Sequence, residues 1–257
     1  MARATRAMDE GRYEEAAREY RAAAEASPED PEVWGRLALA ELLAERPWRA
    51  REAFEVVARL RPSDPEPLIE IGHAHELERH YDRALEAYIE AERRAPGDAR
   101  VHRITGTRLL RWGEAEAAVP HLERALELEP AHEETAKALA LSRYHAGDIE
   151  GAEAAFRAGL ERNPGSRTLR LGLAALLVNA RRHEAALRVY DAVLESEPGF
   201  AAAHVGRALL LHELGRTREA EAAFAAAVEV ASEKGPYRER LEAYRRLVRV
   251  PTAEVVP

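Results

Sequence analysis

No cysteine occurs among the 257 residues, which excludes disulfides, thiolate metal sites and a cysteine nucleophile together. Aromatic side chains are scarce, at 6%, fewer than an all-β protein uses to cover its sheets. Lysine is nearly absent too: of 38 basic residues, all but Lys137 and Lys234 are arginine. No apolar run reaches the length of a membrane span, and the stretch from Met1 to Met8 lacks the apolar segment of a signal peptide. Nor is there an excess of positive charge. The net charge of −8 repels nucleic acid and anionic lipid, so neither nucleic acid nor membrane is expected as a partner. The expected location is cytoplasmic, with a periplasmic or membrane-anchored form left open should a leader have been removed.

Catalytic signatures are missing as well: no G-x-S-x-G, no phosphate loop, no G-x-G-x-x-G after a strand, and no H-E-x-x-H. We therefore expect no enzyme and no cofactor. The nearest approach to a metal motif runs from His75 to His80, five residues and roughly 140° apart on a helix, too far round to share a face. His73, Glu76 and His80 fall on one stripe that suits a divalent ion. The simpler reading makes them solvated polar residues, with His75 packed in a helical hairpin and His80 in its turn, and no metal is assigned.

What the chain does have is a repeat. With 46% hydrophobic and 33% charged residues it is too apolar for disorder, and prolines 28, 62, 96, 130, 164 and 198 follow one another every 34 residues. Twelve residues before each stands an alanine (Ala16, Ala50, Ala84, Ala118, Ala152, Ala186), and Ala220 continues the series. Four residues after each alanine comes a large apolar or aromatic side chain: Tyr20, Phe54, Tyr88, Leu122, Phe156, Tyr190 and Phe224. Small residues at Ala38, Gly72, Gly106, Ala140, Ala174 and Ala208 let paired helices approach, and the recurrent proline ends the second helix. Turns between paired helices fall at Gly11, Gly113, Gly147 and Gly215, with Glu45, Arg79 and Arg181 in the same slot elsewhere. Pro47 is placed at a helix start, and Pro120 in the opening turns of a helix, with a mild kink.

This pattern resembles the tetratricopeptide repeat, most fully in residues 31–64, where Trp34, Leu37, Ala38, Ala50, Phe54 and Pro62 are in place and Glu41 stands where the family prefers tyrosine. The resemblance implies an all-α, right-handed superhelical solenoid of helix-turn-helix repeats. Seven units are expected, at 1–30, 31–64, 65–98, 99–132, 133–166, 167–200 and 201–234, followed by a C-terminal capping helix over 235–250 and a flexible tail over 251–257. The cap would cover the apolar flank of the last hairpin.

The resemblance also implies that first helices line a concave groove through offsets 2, 5, 9, 12 and 13 of each repeat. In repeat 99–132 these are Arg100, Arg103, Thr107, Leu110 and Arg111, and the next repeat adds Lys137, Tyr144 and His145, a cationic groove suited to carboxylate or phosphate. The competing reading pairs these arginines with Glu66, Glu76 and Glu134. Further along, Leu171, Ala175 and Val178, then Val205, Leu209 and His212, make an apolar groove for a partner side chain or helix. Offset 9 holds no asparagine, so the carboxylate clamp of chaperone-binding relatives is missing. Arg207 sits at an offset normally taken by leucine and must snorkel or pair. The expected function is a non-catalytic scaffold or adaptor that binds a peptide segment or helix of another protein, acidic in the cationic groove. The alternatives are an accessory region of a larger enzyme such as a transferase, and a self-assembling structural protein, with the apolar tail residues Val250, Val255 and Val256 as a self-ligand.

Overall fold

Two residues after five of the six periodic prolines comes a polar side chain that starts the next helix; after Pro198 the position is Phe200, which makes no such bond. Asp30, Asp64 and Asp98 accept the backbone N–H two residues on at 2.9, 3.0 and 2.9 Å. His132 Nδ1 and Ser166 Oγ accept the N–H three residues on, at 3.2 and 3.0 Å. Each satisfies a donor that a helix N-terminus leaves unpaired. The proline stops one helix, the capping residue opens the next, and the connection between hairpins stays short.

The structure, a computed structural model, describes residues 1–249, so Val250 and the expected tail over 251–257, including Val255 and Val256, lie outside the described residues. The fold is all-α, with no strand among the described residues. Contacts group the helices into two units, residues 1–129 and the described residues from 130 on. The first contains α1 (Ala2–Asp9), α2 (Tyr13–Ala26), α3 (Pro31–Leu43), α4 (Pro47–Leu60), α5 (Glu66–Leu77), α6 (Tyr81–Arg94), α7 (Ala99–Trp112) and α8 (Ala115–Leu128). The second contains α9 (Glu133–His145), α10 (Ile149–Arg162), α11 (Arg167–Asn179), α12 (His183–Ser196), α13 (Ala201–Glu213), α14 (Thr217–Val230) and α15 (Lys234–Arg249). The even-numbered helices α2 to α14 all begin at 34-residue intervals. None of the described helices is long and apolar enough to cross a membrane.

Within each unit consecutive helices pack as hairpins that stack on their neighbours. The seven periodic alanines from Ala16 to Ala220 are fully buried, as are Ala38, Ala140, Ala174 and Ala208. Gly72 and Gly106 take the same role for Tyr88 and Leu122, whose side chains fill the space a Cβ would need. The turn slot is left-handed throughout, with positive φ at the four predicted glycines and at Glu45, Arg79 and Arg181. Pro47 occupies the first turn of α4, and α8 continues through Pro120.

At the end of the second unit, α15 begins at Lys234 and buries Leu241 and Tyr244. The Tyr244 ring lies 4.9 Å from that of Phe224 on α14 and meets His212 edge-on at 5.3 Å, both between centroids. Arg245 Nε reaches Glu221 at 2.6 Å on the outer side. The amphipathic α15 thus covers the flank that α14 would otherwise expose.

Candidate partner-binding surfaces

Glu76, the penultimate residue of α5, organises the groove-lining face of the first unit. Its carboxylate accepts from Tyr88 Oη at 2.8 Å and Trp112 Nε1 at 3.0 Å, and Arg108 Nε lies 3.3 Å away. The cluster joins α5, α6 and α7. Burial, helped by the carboxylate it donates to, pushes the Tyr88 hydroxyl well above the ordinary tyrosine range, so it stays a proton donor. Trp112 is held between Tyr81 and Tyr88, with ring centroids at 5.2 and 6.3 Å.

Above this cluster lies an open concavity of about 450 Å³. Glu76, Arg108 and Trp112 form its polar base, and His73, Leu77, Tyr81 and Arg111 complete the lining. Arg111 is exposed and has no ion-pair partner among the described residues. The other cations expected in the groove are compensated. Arg100 Nη2 is 2.5 Å from Glu66, one repeat earlier at the same offset, and that hydrogen bond raises its pKa further. Arg103 is 3.1 Å from Glu129. Thr107 spends its hydroxyl on the carbonyls of Arg103 and Ile104. In the second unit Lys137 lies 3.5 Å from Glu134, while the Tyr144 and His145 rings meet edge-on at 5.4 Å.

The stripe of His73, Glu76 and His80 is not a donor set. Glu76 is engaged by Tyr88, Trp112 and Arg108, and His80 sits at the N-cap of α6, turned toward Glu78.

On α11 and α13 the expected apolar groove is only partly available. Leu209 and Ala175 are exposed, and Leu171 and Val178 are half-buried. Val205 is a correction: it belongs to the core. A short branched side chain at that edge of the stripe is covered, where the long Arg103 at the same offset of its own repeat reaches solvent. His212 is half-buried and committed to Tyr244. Arg207 is accounted for, since its Nε pairs with Asp191 at 2.7 Å and its head stays near the surface.

The tetratricopeptide repeat family matches residues 1–65, 70–133 and 105–167 in one form, and 143–199 and 177–243 in a second. The chain belongs to that family. A comparison with curated proteins gave no match. Among solved structures, the C-terminal part of a tetratricopeptide repeat-containing protein from Cytophaga hutchinsonii is similar, with a TM-score of 0.70 at 14% identity over 93% of this chain and 98% of that one. MamA from Desulfovibrio magneticus matches with a TM-score of 0.54 at 22% identity, over 66% of this chain and 96% of that one. At these identities the likeness concerns the fold.

Four of the exposed leucines fall at two repeat offsets. Leu39 and Leu209 occupy offset 9, and Leu43 and Leu77 offset 13, all between 44% and 57% exposed. Both offsets belong to the groove-lining set of a tetratricopeptide repeat. Leu43 and Leu77 were not among the residues singled out in the sequence, although reading offset 13 in every repeat would have found them.

Proposed function

We propose that the chain is a non-catalytic interaction scaffold that receives an extended segment or helix of a partner protein on the face carried by its first helices. The observation that carries this reading is the exposure of large apolar side chains at groove offsets in each unit taken by itself, Leu39, Leu43 and Leu77 in the first and Leu209 in the second. Burying one such leucine against a partner contributes up to about 1.5–3 kcal/mol, so a few anchors suffice for a moderate affinity. In the first unit the concavity beside Leu77 adds shape, and Arg111 adds a cation for a carboxylate. The preferred ligand is therefore a segment with apolar anchors and an acidic residue. Arg100, Arg103, Thr107, Lys137, Tyr144 and His145 contribute contact more than free charge.

The test is selection from a random peptide library displayed on phage. Wild-type protein should enrich sequences with spaced apolar residues, and a folded Leu39→Glu/Leu77→Glu variant should not, because a carboxylate pressed into an apolar contact loses hydration without gaining a partner. Equal enrichment by both proteins would remove this face from the binding surface.

A further inference from the structure

A backbone neighbour fixes the proton on His102. Its Nε2 lies 3.2 Å from the carbonyl oxygen of Pro96. A carbonyl only accepts, so Nε2 carries hydrogen, and Nδ1 of the neutral ring holds a lone pair. That lone pair faces Oε1 of Glu92 at 3.4 Å. Two acceptors repel across such a gap unless a proton or a cation stands between them. The same Oε1 lies 2.8 Å from Nδ1 of His121. Glu92 comes from α6, His102 from α7 and His121 from α8, and one donor atom from each falls within 4.8 Å of the others.

We propose that Glu92, His102 and His121 form a binding site for a divalent transition-metal ion of the zinc class, with water as fourth ligand. Zinc bonds of about 2.0–2.2 Å in a tetrahedron place neighbouring donors about 3.3–3.5 Å apart. The His102–Glu92 edge at 3.4 Å already has that length, and the His121–Glu92 edge at 2.8 Å needs a small outward rotation of His121. Two imidazoles and one carboxylate suit zinc, whereas magnesium and calcium take oxygen alone. The Pro96 carbonyl supplies the outer hydrogen bond that orients a ligating histidine. The three side chains are 12%, 10% and 20% exposed in the order Glu92, His102, His121. The ion and its water enter past His121. Bound there, the metal ties three successive helices of the first unit.

The other cluster with similar donors, His75, Glu78 and His80, already holds a cationic side chain. The Arg51 guanidinium pairs with Glu78 and lies 3.2 Å from Nδ1 of His75, so a cation already stands there.

The experiment uses the tag-free full chain, stripped with a chelator and given zinc chloride, then desalted and assayed for retained metal. One equivalent should remain with wild type, with no retention of magnesium or calcium. Glu92→Gln and His121→Asn should each weaken zinc binding at least tenfold, and His80→Asn should leave it unchanged. Because a variant can lose metal by unfolding, the imidazole nitrogen resonances of wild type are followed as well. Zinc should shift Nδ1 of His102 and His121. Failure of wild type to retain zinc overturns the proposal. So does retention that survives Glu92→Gln and His121→Asn, or that is lost with His80→Asn, or zinc that leaves both Nδ1 resonances unmoved.

Discussion

Gly72 gives up its side chain to Tyr88: a Cβ built on the glycine would stand 2.5 Å from ring carbon Cε1 and 2.8 Å from Cδ1 and Cζ. The ring has little room to retreat, because its hydroxyl is tied to Glu76 and its face lies near Trp112. Packing and the polar cluster are therefore one constraint. Gly72→Ala should cost about 1–3 kcal/mol by overpacking. Gly35→Ala, on the helix of the preceding repeat with nothing within 4 Å, should be neutral or gain up to about 1 kcal/mol from helix propensity. Urea denaturation of the two variants settles the pair, and a Gly72→Ala protein as stable as wild type would sink the account.

One repeat position carries a second lesson. Offset 11 is Leu109, Leu177 and Leu211 in three repeats, all buried, but Glu41 in another, where 1% of the residue is exposed. Arg21 Nη2 reaches Glu41 Oε1 at 2.6 Å, while Oε2 has no hydrogen bond and Arg46 is 3.8 Å away. A buried carboxylate hydrogen-bonded on one oxygen, with only a longer ion pair to the other, is a poor use of that space. Glu41→Leu should therefore match or exceed wild type, by up to about 4 kcal/mol, whereas Arg21→Ala should destabilise by about 1–3 kcal/mol by leaving the carboxylate less paired. A Glu41→Leu protein less stable than wild type in thermal unfolding would mean that the pair is a net stabiliser.

His75 is the same offset one repeat later. Burial, with the nearby Arg51 guanidinium, Arg83 and His80, holds its pKa below the ordinary histidine value of 6.5, and Glu78 opposes this only in part. Above about pH 6.5 the ring is neutral folded or unfolded, and pH does not matter through this group. Below it the unfolded chain takes up the proton first, so folded stability falls as pH drops from 6.5 toward the lower folded value. A His75→Leu protein should lose less stability than wild type between about pH 7 and about pH 5. Parallel denaturation curves with equal losses would assign the pH response to other groups.

The period and the chemistry of its fixed positions were legible because they are local. Proline, the alanine before it and the large residue after that alanine recur in one register, and the small residues of the first helix mark where backbones meet. Arg79 and Arg181 in the turn slot could be read the same way, since position alone required a left-handed residue there. Pairing across repeats was harder. Arg100 meets Glu66 34 residues away, and Trp112 meets Glu76 36 residues away, contacts set by how far a long side chain reaches across stacked helices. The same limit explains Val205, which the offset rule places in the groove and the packing covers. The capping role of Asp64 and Asp98 was within reach of the sequence, two residues after each proline, but small polar residues in a loop admit many readings.

The left-handed residues lead to a stability prediction. Arg181 has φ 57° between α11 and α12, a conformation that costs a residue with a Cβ about 1–2 kcal/mol. Glycine removes that cost but has more freedom to lose on folding, about 0.5–1 kcal/mol. Arg181→Gly should therefore gain about 0.5–1 kcal/mol. A lower midpoint in thermal unfolding would show that the arginine side chain contributes more there than its backbone costs.

Charge in the groove can be separated residue by residue. Arg100 and Arg111 occupy the same helix and were expected in the same cationic stripe, but Arg100 is held by Glu66 at 2.5 Å, while Arg111 stands at the rim of the concavity with no ion-pair partner among the described residues. A ligand carboxylate reaching Arg100 must compete with one already in place. At Arg111 it gains a new partner, and both groups keep enough solvent for the gain to be modest, about 0.2–1 kcal/mol. With an acidic peptide selected by the wild-type protein, Arg111→Gln should weaken binding by roughly 1.5- to 5-fold, and the difference should shrink as salt is raised, because exposed charges are screened. Arg100→Gln should change affinity less than Arg111→Gln while freeing Glu66. Isothermal titration of the three proteins at low and high salt measures both effects. A larger loss at Arg100 than at Arg111 would show that the ligand displaces Glu66, and would move the acidic end of the segment toward the start of α7.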